Sequence, residues 1–395
     1  MRYSIFFITA CLSYPFIACA PDARERELAG TRVINPPTAI IESLYGDITD
    51  IQYIPLRPDA RAYPSGIRQL LYHNRYFIML CYQRGAIYFY DHSGVFQFMV
   101  SPTGSGPLEF ASAQDIAIYD NNTLLICDNT LSKILKFDIV SQQITADWRV
   151  NSPPFSIICH RNYIYMICND PEGSIKMVKD FNFDRIQSFV KPGPLFNLIA
   201  SPKPFQIYQD TVFINVGFTD TIYYATPEEQ IQPFAAIGQG ESALSGASVA
   251  DVQNAIFARD VASTNRLQNR LVPSGFFSSV GAKWVIPLFI DLKYIIYNKN
   301  NNSLIVASKN ALPEALLLST APFPMIYNQD AEGYLYSALL PTPAFYERLL
   351  KLPADAPIRK AAEQGLGVFF QDDTFENPVI VKWRPGNRFL SPKLN

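Results

Sequence analysis

Residues Gly104 to Asp138 read GSGPLEFASAQDIAIYDNNTLLICDNTLSKILKFD. A glycine-rich turn leads into three short apolar runs, Asp115 to Tyr119, Thr123 to Cys127 and Lys133 to Phe137, with polar turns between them. Runs of this length bounded by Gly, Asn and Asp are strands in a meander. Echoes of the unit return along the chain at a period of roughly 40 to 50 residues, the spacing of propeller blades. Further units start at Tyr76, Phe155, Phe205, Trp284 and Pro324. The expected fold is all-β, a six-bladed β-propeller. Its last unit lacks a fourth strand, and the run Ile48 to Leu56 is expected to supply it, so that the chain ends close the ring and leave no open sheet edge.

Composition supports this reading. Aromatic residues make up 13% of the 395 positions, which suits pleated surfaces, and 30 prolines and 19 glycines supply turns. The net charge is −2 with no basic run, so nucleic acid is excluded as a partner.

The N-terminus reads as an export signal. Arg2 precedes a mostly apolar stretch, Tyr3 to Ala18, too short and too poorly flanked to span a bilayer. The tetrad Phe16-Ile17-Ala18-Cys19 has the form of a lipobox, with Phe16 in place of the usual Leu. Residues 1–18 are then a lipoprotein signal peptide, Cys19 is the lipidation site, 19–47 is a tether, and 48–395 is the propeller. Ile8-Thr9-Ala10-Cys11 is a second tetrad with a shorter apolar lead. Cleavage after Ala18-Cys19-Ala20, giving simple secretion, is the competing reading, disfavoured by Pro21.

Cys81, Cys127 and Cys168 each end an equivalent apolar run, FIMLC, LLIC and IYMIC. Equivalent positions in successive blades lie beyond the Cα separation of about 7 Å that a disulfide tolerates. Together with Cys159 they are expected to be buried free thiols. Two segments break the strand pattern. Val249 to Leu271 has helical apolar spacing after a candidate cap at Ser248, and Thr342 to Gly365 reads as two short helices split by Pro353 and Pro357. Both are expected as insertions on one face.

The phrases GSGPLEF (104–110), CDNTLSKILKFD (127–138), DTIYY (220–224) and ENPVIVKW (376–383) resemble those of six-bladed β-propeller lipoproteins of Gram-negative bacteria, whose blades are similar to NHL repeats. The resemblance spans about Ile48 to Trp383. It implies architecture and export, and carries no catalytic motif.

Connections between blades and between second and third strands share one face, the usual working face. That sorting places Arg84, Asp128, Asp170, Glu172, Asp220 and Asp291 there, with Glu109, Glu241, Asp372 and Asp373 on longer loops. Such carboxylates could hold a divalent cation or act as acid and base. Asp128 and Asp220 sit within the repeated phrase and are expected to lock turns instead. His73, His92 and His160 fall on the opposite face, which argues against a histidine metal site or a Ser-His-Asp triad. Gly104-Ser105-Gly106 and Gly238-Gln239-Gly240 open no helix with a Lys-Ser or Lys-Thr pair, so they are turns and not phosphate loops. Tyr63, Tyr82, Phe196, Phe218, Phe276, Phe277, Phe345 and Tyr346 lie in or beside working-face segments, where rings stack on sugars and peptides or pack the helices down.

The expected function is recognition of a glycan, a peptide or an envelope protein by a lipid-anchored propeller. The ligand-binding candidates are Arg84, Asp170, Glu172, Phe218, Phe345 and Tyr346, with no cofactor or resident metal. A propeller enzyme of lactonase, lyase or glycoside-hydrolase type, working through carboxylates, is the alternative. A structural subunit of an envelope complex is the third. The lack of a convergent His/Cys/Asp constellation favours binding over catalysis.

Overall fold

Six four-stranded units wrap around one axis, and every pair of neighbours shares a wedge of core. The computed structural model describes residues 31–34, 37, 39–57, 64, 66–82, 85–190, 203–216, 221–237, 278–287, 293–319, 325–367 and 377–393. The chain begins with β1 (Arg32–Ile34), β2 (Ile40–Ile41) and β3 (Ile48–Pro55). The first blade is β4 (Ile67–His73), β5 (Tyr76–Cys81), β6 (Ile87–Asp91) and β7 (Phe96–Val100). The second is β8 (Asp115–Ile118), β9 (Thr123–Asp128), β10 (Lys133–Asp138) and β11 (Gln143–Arg149). The third is β12 (Pro154–His160), β13 (Tyr163–Cys168), β14 (Ile175–Lys179) and β15 (Gln187–Phe189). The fourth is β16 (Phe205–Tyr208), β17 (Thr211–Asn215), β18 (Thr221–Ala225) and β19 (Ile231–Ile237). The fifth is β20 (Ser278–Val280), β21 (Lys283–Pro287), β22 (Tyr294–Asn298) and β23 (Ser303–Ala307). After a short helix α1 (Ala315–Leu318), the sixth blade has β24 (Asn328–Gln329), β25 (Leu335–Leu339), helices α2 (Pro343–Lys351) and α3 (Pro357–Leu366), and β26 (Val379–Pro385).

The ring closes through the N-terminal strand. β3 runs antiparallel to β26 as the outer strand of the sixth blade, with Tyr53 opposite Val381 and Ile51 opposite Trp383. The segment expected as a tether is partly structured. β1 adds a parallel fifth strand outside β19, and β2 does the same outside β23. Both cover sheet edges that would otherwise face solvent. β4 and β20 are innermost strands that the sequence pattern did not single out.

The apolar runs have no polar face because both faces of each blade are buried. In β9, Leu124 and Ile126 pack toward the first blade, while Leu125 and Cys127 pack toward the third. Each such side chain contributes about 1.5–3 kcal/mol through burial. The wedge between the fifth and sixth blades is extended by the helices: Phe345, Tyr346 and Leu349 of α2 and Ile358, Ala362 and Leu366 of α3 join it. Thr342 caps α2, its hydroxyl accepting from the Phe345 N–H at 3.3 Å. The insertion expected at Val249 to Leu271 lies outside the described residues.

The opening phrase is a structural joint. Asp128 is fully buried and its carboxylate accepts from Ala111 N at 2.6 Å, Thr130 N at 2.9 Å and Leu131 N at 3.0 Å. It therefore ties the incoming interblade loop to the turn after β9, the turn lock expected of it. Glu109 accepts from Gly106 N at 2.7 Å, and a Cβ at Gly104 would lie 2.4 Å from the Glu109 carboxylate. Buried Lys133 closes the joint on Gly106 O at 2.8 Å and pairs with Asp147 at 2.9 Å. The four cysteines 81, 127, 159 and 168 are buried, and among the described residues none is in a disulfide.

Candidate functional site

The innermost strands β4, β8, β12, β16, β20 and β24 surround a cavity of about 340 Å³ to which all six blades contribute. Part of its polar lining lies at the starts of the inner strands, and Asn328 and Gln329 add polar groups at the other end. Gln69 is the third residue of β4, Asp115 the first of β8, Ser156 the third of β12 and Ser279 the second of β20, while Lys203 lies two residues before β16. These are the starts of the inner strands, where the interblade connections arrive. These residues therefore lie on the side of the face expected to work.

Two irregularities aim the side chains. The β4–β5 ladder shifts register between Ile67 and Gln69, and the β12–β13 ladder shifts between Pro154 and Ser156. Such bulges re-aim side chains next to binding sites. Gln69 and Ser156 occupy the same place in their blades, as IRQLLYHNRYFIMLC (67–81) and PFSIICHRNYIYMIC (154–168) show when aligned.

Asp115 bridges two blades. Its carboxylate accepts from Ser156 Oγ at 2.5 Å and Ile157 N at 2.9 Å on β12, and from its neighbour Ile116 N at 2.9 Å. Burial raises its pKa to about 6, opposed by those hydrogen bonds and by the Arg68 charge. Lys203 donates to the carbonyls of Ile326 and Tyr327, spanning from the fourth blade to the sixth. Part of its surface stays open to the cavity. Removal from bulk water nonetheless dominates and brings its ammonium down to about 7, with the Asp115 charge opposing. The Gln69 side chain is 9% exposed and its Oε1 has no hydrogen-bond partner. Arg68 lies with its guanidinium 5.0 Å from the ring centroid of Tyr82, an aromatic that is 54% exposed.

The sequence-derived candidates are placed as follows. Arg84, Phe218 and Cys19 lie outside the described residues, as do Asp220, Asp291, Glu241, Asp372, Asp373, Tyr63, Phe196, Phe276 and Phe277. Asp170 and Glu172 share the turn between β13 and β14. Asp170 pairs with Lys176 at 2.5 Å and accepts from Glu172 N at 2.9 Å. The Lys176 partner and that N–H hold its carboxyl below the usual range. It is a turn lock, and Glu172 stays exposed beside it. Phe345 and Tyr346, proposed from sequence as ligand contacts, are buried at 3% and 8% exposure. Phe345 meets Tyr53 edge-on at 6.0 Å, so these rings dock α2 onto the sixth blade and cannot line an open surface. His73 and His160 end inner strands at the opposite face, where His73 hydrogen-bonds Asn121 O at 2.9 Å. Among the described residues no group of three or more His, Cys, Asp or Glu could hold a metal ion.

Gln69, Asp115, Ser156 and Lys203 were not singled out from sequence. The available signal was a polar residue at or near the start of several innermost strands, visible once the blade repeats are aligned.

This architecture matches the chain's family. Residues 25–331 match DUF5128, described as a 6-bladed beta-propeller, and the chain belongs to that family. No curated protein sequence matches it. Among solved structures, a Bacteroides fragilis protein described as exported aligns at 12% identity and TM-score 0.58, over 90% of this chain and 100% of that one. A Staphylococcus aureus virginiamycin B lyase aligns at 11% identity and TM-score 0.42, over 73% of this chain and 80% of that one. A DUF4221 family member from Bacteroides vulgatus aligns at 11% identity and TM-score 0.41, over 65% and 84%. These likenesses concern the fold.

Proposed function

We propose that this chain is a lipid-anchored envelope propeller that recognises a glycan, a peptide or a partner protein, and that its ligand engages the central cavity. The observation that carries this reading is the cavity lining, where Gln69, Asp115, Ser156 and Lys203 converge from four blades. Concave pockets with a few convergent polar groups are the usual form of a ligand site. The anchor rests on Phe16-Ile17-Ala18-Cys19 after an apolar run, and among the described residues no helix is long and apolar enough to cross a membrane. Peptide and glycan arrays test the binding reading. A ligand found there should bind at least tenfold more weakly to Lys203→Met or Gln69→Leu proteins with near-parental melting temperatures. Binding untouched by both changes would remove the cavity from the reading. Metabolic labelling with a fatty-acid analogue should tag the parent and spare Cys19→Ser; equal labelling of the two rejects the anchor.

A second reading, a propeller enzyme, is favoured by one feature. A carboxyl near 6 and an ammonium near 7 line one cavity, which is the pairing that general acid–base catalysis uses. Turnover of a lactone or glycoside that disappears in Asp115→Asn while binding persists would select it.

A further inference from the structure

We infer that the pair Arg68 and Tyr82, on the first blade, binds an acidic glycan, with the carboxylate of one uronic acid unit on the Arg68 guanidinium and a neighbouring sugar ring on the face of Tyr82. The inference rests on the recognition reading and names its ligand class, while its contacts lie outside the cavity lining.

Local backbone brings the pair together. The β4–β5 ladder sets Ile67 opposite Cys81 and Gln69 opposite Leu80, so Arg68 is the extra residue of the bulge and has no partner across the ladder. A residue in that position is re-aimed away from the regular pleat. Tyr82 follows the last residue of β5, and its N–H donates to Gly66 O at 2.8 Å. Gly66 has φ +66°, the left-handed conformation that favours glycine. The turn before β4 thus grips the end of β5 and sets the guanidinium carbon 5.0 Å from the centre of the tyrosine ring. Both residues lie where β4 starts and β5 ends, on the side of the interblade connections and next to Gln69 of the cavity lining.

The pair has unused binding capacity. A guanidinium carries five N–H donors. Arg68 is half-buried, and no described residue accepts a hydrogen bond from it or forms an ion pair with it. The ring attracts its charge but supplies no carboxylate-like acceptor. Two other described arginines lie over rings, and both are tied. Arg384, over Tyr334, donates to Glu332 O at 3.0 Å, and Arg388, over Tyr45, pairs with Asp47 at 3.9 Å. Asp115 holds no acceptor in reserve for Arg68, because its oxygens already take Ser156 Oγ, Ile116 N and Ile157 N. Tyr82 is 54% exposed, so much of its ring faces solvent.

These two groups ask for an anion beside a flat apolar surface. A planar carboxylate matches the guanidinium fork with two parallel hydrogen bonds. Phosphate also fills the fork but brings nothing to lay on Tyr82. The C–H face of a sugar packs on an aromatic ring. A run of uronic acid units repeats both features in a stiff frame, so that one unit lies on Tyr82 while the carboxylate of the next reaches Arg68. An acidic peptide carries its carboxylates on flexible side chains, each of which loses about 0.5–1.5 kcal/mol in rotamer freedom on binding.

Isothermal titration of the full mature protein with trigalacturonate, maltotriose and triglutamate tests this. Trigalacturonate should bind at least about tenfold more tightly than either of the others. Arg68→Gln should remove its advantage over maltotriose. Arg68→Lys keeps the charge and loses the fork, and should bind trigalacturonate at least about threefold more weakly than the parent. Tyr82→Ala should weaken it at least about fivefold, whereas Tyr82→Phe keeps the ring and should stay within about twofold. The Tyr82 variants change an exposed side chain and keep the test decisive if an Arg68 variant fails to fold. Equal binding of trigalacturonate and maltotriose, tighter binding of triglutamate, an Arg68→Lys protein that binds like the parent, a Tyr82→Phe protein as weak as Tyr82→Ala, or no heat with trigalacturonate at millimolar concentration each overturns the inference. The cavity reading fails separately. It falls if array-selected ligands ignore Lys203→Met and Gln69→Leu while trigalacturonate still responds to Arg68→Gln. It stands without the inference if a cavity ligand is lost on those two changes while trigalacturonate never binds.

Discussion

The Asp115 carboxylate accepts the Ser156 hydroxyl at 2.5 Å, and the two residues start the innermost strands of adjacent blades. The bond is one of the few polar links across a wedge otherwise filled by Ala117, Leu125, Ile157 and Ile164. It gives a buried carboxyl both a structural duty and a perturbed ionisation.

That ionisation has a definite sign. Burial raises the folded pKa of Asp115 from 3.8 to about 6. Between those values the native state holds a proton that the unfolded state has lost, so this group's contribution to stability falls as pH rises through the window and is level above about 6. Asp115→Asn removes the contribution and should cost about 1–3 kcal/mol at pH 7 through misfit hydrogen bonds. The stability gap between parent and variant should widen on moving from pH 7 to pH 5, by an amount on the order of 1 kcal/mol. Urea melts at the two pH values measure it, and a gap unchanged with pH contradicts the raised pKa.

A second prediction concerns the closing strand. α3 lies so close to β3 that a Cβ on Gly365 would sit 2.3 Å from the Tyr53 carbonyl oxygen. Backbone cannot yield as a flexible side chain can. Gly365→Ala should therefore destabilise by about 1–3 kcal/mol despite the better helix propensity of alanine. Thermal melts compare it with Ala361→Gly, a change that costs about 1 kcal/mol by propensity and loses a methyl packed against the core. A Gly365→Ala protein as stable as the parent would show that the helix stands off the sheet.

The thiols offer a third. Burial pushes Cys127 and Cys159 well above the ordinary thiol range, with Asp115 adding to the effect, and it raises Cys168 to about 12. The nucleophile is the thiolate, so a chain starting after Cys19 should react negligibly with an aromatic disulfide reagent at pH 8 while folded. After unfolding, without reductant, it should release four equivalents, one each from Cys81, Cys127, Cys159 and Cys168. Two or fewer would reveal a disulfide.

Much of the fold was legible because blades bury both faces. Runs such as LLIC in β9 or FIMLC in β5 have no polar alternation to blur them, and the missing strand of the last unit points to Ile48–Leu56, which supplies β3 beside β26. β4 was harder to see because Arg68 and Gln69 interrupt its apolar run at a bulge, and β20 is a three-residue Ser-Ser-Val. The segment 32–41 read as a tether because its strands are two and three residues long and gain their pairing only from blades far along the chain. The cavity was hidden for the same reason. Gln69, Asp115, Ser156 and Lys203 are ordinary polar residues one at a time, and only ring closure brings them together. Face sorting placed Asp170 correctly in a loop, but the sequence pattern does not show that Lys176 already neutralises it.

Phe345 shows most directly how the structure changes an expectation. Read as a loop aromatic, it would contact ligand, and its loss would weaken binding with little effect on folding. It is 3% exposed, edge-on to Tyr53 and packed in the wedge that holds Trp383 and Leu349. Phe345→Ala leaves a cavity between the helices and the closing strand, and large-to-small changes of that kind cost about 3–5 kcal/mol. Glu347, two residues along on the exposed side of α2, serves as the control, and Glu347→Ala should change stability by no more than about 0.5 kcal/mol. Denaturant titrations of the two variants decide the matter. A Phe345→Ala protein within about 1 kcal/mol of the parent would mean that the helix pair contributes little to closing the ring, since a filled core position cannot be emptied so cheaply.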